Sequence, residues 1–143
     1  MPEEPEGDLL ARSRRTVEAF ARGAFDESAA MFSERGVLDL SPMGLGVFEG
    51  REAILGLFGD WFEPYAEYKV ELEENSDLGN GVIFNVILYV ARPAGSSRWV
   101  DVRHSYVLTW TDGFIERNTG YDDIDEGRDA AERLAEERRS AVP

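Results

Sequence analysis

At 143 residues, 43% of them hydrophobic and 11% aromatic, the chain has the length and composition of one globular domain with a single substantial core. Its 29 acidic residues against 15 basic ones give a net charge of -14. That charge repels a polyanion, no Lys/Arg stripe offsets it, and no nucleic-acid partner is expected. There is no cysteine, which excludes disulfides and thiolate metal sites, and no apolar run reaches membrane-spanning length, so no membrane partner is expected.

The start, "MPEEPEGD", is acidic and lacks the apolar stretch of a signal peptide, so residues 1–8 read as a disordered, solvated tail and the cytoplasm as the location. From residue 9 to 24, Leu10, Val17, Phe20, Ala21 and Ala24 recur at helical spacing, with Asp8 as an N-cap and Gly23 as the stop. Asp26 caps a shorter helix, "ESAAMF", that ends near Gly36. "VLDL" is a short strand with Val37 and Asp39 on one face and Leu38 and Leu40 on the other. After a Pro/Gly loop, Ile54, Leu57, Phe58, Trp61 and Phe62 mark a third helix over 51–62.

From Tyr68 the period becomes two, and "YKVELEEN" alternates apolar and charged residues. "SDLGNG" reads as a turn, and "VIFNVILYVAR" as a central strand covered on both faces. "RWVDVRHSYVLTW" is a long strand, "TDG" a hairpin turn and "FIERNTGY" the last strand. Residues 125–143 form a C-terminal helix and tail, with Ala130, Ala131 and Leu134 inside. Helices first and a strand meander afterwards specify an α+β domain over 9–124, a curved antiparallel sheet shaped as a cone and closed by the N-terminal helices. The interior of such a cone is a natural site for a small hydrophobic molecule.

Three stretches, "AFARGAFDESAAMF", "GREAILGLFGDWF" and "VLTWTDGFIERNTGY" followed by Asp122 and Asp123, carry a resemblance to a known superfamily. The chain resembles the nuclear-transport-factor-2-like superfamily, in its SnoaL-like polyketide cyclase and ketosteroid isomerase-like branch. The resemblance implies a cystatin-like α+β roll. It leaves the activity open, because the superfamily holds isomerases, cyclases, dehydratases, epoxide hydrolases and non-catalytic binders. It also implies a homodimer through the outer sheet face. Ketosteroid isomerases use an Asp base with a Tyr and a protonated Asp as oxyanion donors. Carried onto this chain, the base falls on Leu40 or Ser41, the tyrosine on Thr16 and the second donor on Tyr106. One of three positions keeps a suitable group, so steroid isomerase chemistry is not expected.

The alignment orients the long strand, with Val100, Val102, His104, Tyr106, Leu108 and Trp110 inward and Trp99, Asp101, Arg103, Ser105 and Val107 outward. On the last strand Glu116, Asn118, Gly120 and Asp122 point inward. The catalytic candidates are Asp39, His104 and Tyr106. His104, the single histidine, is either a general acid/base or a core residue satisfied by a carboxylate or carbonyl. Asp39 is either a base with a raised pKa or a strand-edge carboxylate facing water or pairing with an arginine. Tyr106 either orients a ligand oxygen or packs in the core with its hydroxyl satisfied. Ser41, Phe58, Trp61, Phe62, Tyr65, Asn118 and Asp122 are the ligand-binding candidates, with helix packing or capping as their structural alternatives. Exposed Trp99 marks the dimer face. No metal site and no cofactor are expected. Two readings follow: cofactor-free acid/base catalysis of the isomerase, cyclase or hydrolase kind on a small hydrophobic metabolite, or a non-catalytic binding or dimerisation module of the same fold.

Overall fold

Ten helices and strands, described over residues 5–141 in a computed structural model, build the α+β cone. Residues 1–4 of the expected tail lie outside the described residues. Helix α1 spans Pro5–Ala21. It therefore begins ahead of Asp8, with Pro5 at a first-turn position where a missing N–H costs nothing. It stops at Gly23, whose φ of 83° only glycine adopts without strain. Helix α2 is short, Phe25–Ala29.

Strand β1, Phe32–Asp39, begins five residues earlier than "VLDL" suggests. Its first half does not alternate because it carries a bulge between Phe32 and Val37. Gly36 lies in that bulge, where a Cβ would stand 2.9 Å from the Ile115 carbonyl oxygen. A turn of 3-10 helix at Ser41–Met43 leads to β2, Val47–Glu49, and then to α3, Arg51–Phe62, as its stripe implied. Ile54, Phe58 and Phe62 are its buried residues.

The remaining strands are β3, Tyr65–Gly79, β4, Val82–Pro93, β5, Val100–Thr111, and β6, Phe114–Tyr121. "SDLG" belongs to β3; only Asn80 and Gly81 turn, both at positive φ (58° and 80°), as a two-residue hairpin requires. The sheet order is β2-β1-β6-β5-β4-β3. Every pairing is antiparallel except β1 with β6, which is parallel, so the sheet is mixed, curved and not closed into a barrel.

The concave face carries the main core, with Phe32, Ile83, Ile87, Leu108 and Trp110 under α1–α3. On β6, Glu116 is the extra residue of a bulge opposite Thr109 and Trp110. It is exposed, and Ile115 takes the inward position expected for it. The convex face is not free. Helix α4, Ile124–Ala141, lies across it and buries Val82, Phe84, Val86 and Val107. Its contact stripe is small: Gly127, Ala131 and Ala135 recur every four residues and let helix and sheet approach closely. Thus Ser105 and Val107 face outward as expected, but against the chain's own helix. Trp99 precedes β5 and is 45% exposed. No helix among the described residues is long and apolar enough to cross a membrane.

Candidate functional site

Two adjoining hollows occupy the concave side. The inner cavity, about 70 Å³, lies between α1, α3 and the middle of the sheet. Phe20, Phe58, Leu38 and Leu108 make it apolar, and Ser13, Asn85, Tyr106 and Asn118 are among its polar groups. The outer cleft, about 360 Å³, opens at the end of the sheet over Phe62, Tyr65, Tyr68, Val100, Val102 and His104. Trp61 and Tyr89 border both hollows and form the wall between them.

A row of hydrogen-bonding groups runs along that wall. The Tyr89 and Tyr106 hydroxyls are 2.6 Å apart, and the Tyr106 hydroxyl is 3.4 Å from His104 Nδ1. On its far side, His104 Nε2 is 3.6 Å from Asp122 Oδ1. Register brings them together: on β4 and β5, Asn85 is opposite Tyr106, Ile87 opposite His104, and Tyr89 opposite Val102. Asp122 directly follows β6. Burial pushes the His104 pKa below its ordinary value, with the Asp122 carboxylate opposing, so the imidazole is neutral at pH 7. With a carboxylate on the Nε2 side of the ring, we assign the imidazole proton to Nε2, which leaves Nδ1 to accept from Tyr106. The Tyr106 hydroxyl, its proton spent on Nδ1, then receives the Tyr89 proton. Burial raises both tyrosine pKa values, so both remain protonated.

Asp39 is not in either hollow. Leu38 and Leu40 face the cavity, and Asp39 points to the opposite side of β1. There it accepts the Ser41 backbone N–H (2.9 Å) and hydroxyl (2.6 Å) and pairs with Arg117 (2.6 Å). Burial opposes its charge, but the Ser41 and Arg117 hydrogen bonds outweigh that, and its pKa is lowered. Asp39 is here a paired strand-edge carboxylate with a lowered rather than a raised pKa, and the Ser41 hydroxyl and N–H are spent on it. Phe58 lines the inner cavity, and Phe62 and Tyr65 line the cleft. Phe62 stacks on Tyr68 with ring centres 3.8 Å apart.

Asn118 lines the cavity with its Oδ1 buried and unpartnered. The Asp122 side chain is 68% exposed and meets the site only through His104. Sequence reasoning missed Tyr89 and Asn85. The signal was present: in the apolar run of β4, Asn85 shares parity with Ile83, Ile87 and Tyr89, so a lone amide sits on the cavity side. Among the described residues no group of three or more His, Asp and Glu could hold a metal ion.

A curved α+β cone with an apolar hollow and a few converging polar groups defines a pocket-bearing fold of the nuclear-transport-factor-2-like class. The chain belongs to the SnoaL-like domain family, whose sequence model matches residues 13–118. Solved structures share the fold at low identity. A protein of ketosteroid isomerase-like fold from Catenulispora acidiphila DSM 44928, in complex with trimethylamine, is 14% identical with a TM-score of 0.66, covering 80% of this chain and 87% of its own. An NTF2-like protein of unknown function from Burkholderia pseudomallei K96243 is 17% identical with a TM-score of 0.70, covering 83% and 93%. A cystatin-fold protein from Novosphingobium aromaticivorans is 12% identical with a TM-score of 0.67, covering 78% and 96%. No curated protein sequence matches the chain.

Proposed function

We propose that the protein holds a small, largely apolar molecule with one carbonyl or hydroxyl group in the inner cavity and moves a proton to or from it without a cofactor. The row Tyr89–Tyr106–His104–Asp122 carries this reading. His104 is the terminal base: neutral at pH 7, it can take a proton passed along the hydroxyls, and the imidazolium so formed lies beside Asp122. Tyr106 and Tyr89 touch the ligand, and His104 acts through them. Positioned acid/base catalysis of this kind contributes roughly 10²- to 10⁴-fold. Asp39 has no part in it.

The same cavity also fits a binding module without turnover, and the two readings separate experimentally. Native mass spectrometry of the purified chain identifies retained ligands, and each is then offered to wild type and His104→Gln. Conversion by wild type that falls at least a hundredfold in the variant, with binding kept, supports catalysis. Binding in both proteins with conversion in neither makes it a module.

The trimethylamine held by the Catenulispora protein supports the scale of ligand this fold accepts. The expected homodimer is retained only on the outer surface that α4 leaves open, around Trp99; sedimentation of wild type against Trp99→Ser tests it. Cytoplasmic residence is proposed on the absence of cysteine alone.

A further inference from the structure

The inner cavity contains hydrogen-bonding groups that the fold itself leaves unsatisfied. Asn85 is 1% exposed; its Nδ2 donates to Ser13 Oγ (3.3 Å), and its Oδ1 has no partner. Asn118 Oδ1, from the neighbouring side of the sheet, is buried and equally unpartnered. Both atoms are acceptors. A buried polar atom without a partner is costly, and most native structures satisfy nearly all of them.

The hydroxyl protons around the cavity are largely committed elsewhere. Thr16 donates to the Arg12 carbonyl (2.8 Å) and Ser28 to the Thr16 carbonyl (3.0 Å). With the imidazole proton on Nε2, Tyr106 donates to His104 Nδ1 and Tyr89 to Tyr106, which leaves the Ser13 hydroxyl and the Asn85 and Asn118 amide N–H groups as the lining donors beside the two unpartnered acceptors. An oxyanion hole has the reverse character, with protons aimed at a ligand oxygen. Among the described residues no Asp, Glu, Lys or Arg lines the cavity, so a charged ligand would be buried there without a counter-ion from them. The volume of about 70 Å³ also limits the occupant. At roughly 10–15 Å³ per water-sized position, it takes about five non-hydrogen atoms.

We infer that the cavity selects a neutral hydroxyl compound, an alcohol whose O–H is donated to Asn85 Oδ1 or Asn118 Oδ1 while its short carbon skeleton packs on the aromatic wall. This rests on the pocket reading above and chooses the hydroxyl over the carbonyl.

The test uses one carbon skeleton with three heads: 2-butanol, 2-butanone and 2-methylbutane, titrated into isotope-labelled full-length protein and followed by NMR shifts of cavity residues. Expected is 2-butanol binding at least about tenfold more tightly than either of the others. In Asn118→Leu that preference over 2-methylbutane should shrink severalfold; Asn85→Leu is the second variant, its fold checked by the same spectrum. If 2-butanone binds as tightly as 2-butanol, the hydroxyl inference is overturned while the pocket reading stands. If none of the three binds and the cavity shows only water, both are overturned.

Discussion

Removing the hydroxyl from Tyr106 and from Tyr89 should have unequal consequences, because the two occupy different places in one directed row. Tyr106→Phe deletes the 2.6 Å bond to Tyr89 and the 3.4 Å bond to His104 Nδ1. It strands the Tyr89 proton in a residue that is 7% exposed. A buried donor left unsatisfied costs about 1–3 kcal/mol, and the long bond to Nδ1 adds under about 1 kcal/mol, so about 2–3 kcal/mol is expected. Tyr89→Phe deletes one bond and strands no donor, since Tyr106 keeps its own proton on Nδ1; the expected cost is about 1 kcal/mol. For a chain of this length the thermal midpoint should fall by roughly 6–9 °C in the first variant and about 3 °C in the second. Urea unfolding with an unchanged m-value confirms that stability alone has moved. The double variant removes the stranded Tyr89 donor as well and should cost less than Tyr106→Phe alone, giving a coupling of about 2 kcal/mol. Equal losses from the two single variants would refute the assigned direction. They would mean that the proton sits on Nδ1 and the row runs from His104 to Tyr89, so that Tyr89→Phe strands the Tyr106 proton instead. The role of His104 as terminal base would fall with it.

Three other outcomes follow from the same coordinates. The His104 pKa is lowered in the fold, so below its ordinary value of 6.5 the unfolded chain binds the extra proton first. Stability should therefore fall as pH drops from about 7 to 5, and His104→Gln should flatten that slope in urea midpoints; Asp39, Glu73 and Glu74, lowered by their arginine and serine partners, lose their contribution only near and below pH 4. Gly127→Ala gains about 1 kcal/mol of helix propensity but places a Cβ 2.0 Å from Ser105 Oγ and 3.0 Å from Ser105 Cβ. Overpacking of about 1–3 kcal/mol and disruption of the Ser105 bond to the Asp123 carbonyl make the net effect a destabilisation of about 1–3 kcal/mol, checked by thermal unfolding. Asp39→Ala should cost about 1–2 kcal/mol through the Ser41 turn and the half-exposed Arg117 pair, while the affinity of any cavity ligand stays within about twofold.

What was legible in the sequence is whatever a residue decides with its near neighbours. The stripe Ile54, Phe58, Phe62 marked α3, and the resemblance that set Tyr106 inward placed His104 and Leu108 on the same face of β5. The bulges at Gly36 and Glu116 were not legible, because an extra residue breaks alternation and its only cause is the partner strand. The docking of α4 was hidden for a related reason. Gly127, Ala131 and Ala135 are too small to register as an apolar face, although smallness is what lets them touch the sheet.

The site itself sits beyond local pattern. Parity could place Tyr89 and Tyr106 on the same face of neighbouring strands, but the register, with Asn85 opposite Tyr106 and Tyr89 opposite Val102, sets the four-residue offset that their long side chains span to bring the hydroxyls within reach. The Tyr106–His104 contact lies within β5, two residues apart, and needs no register, whereas the Tyr89–Tyr106 contact exists only at the β4–β5 register that sets Tyr89 opposite Val102. The Tyr89 end of the proton row is therefore a property of the β4–β5 pairing rather than of either strand. Asp39 illustrates the converse. It looked catalytic because it stands near a Pro/Gly loop, whereas a single step along β1 separates the cavity face of Leu38 and Leu40 from the ion pair it makes with Arg117.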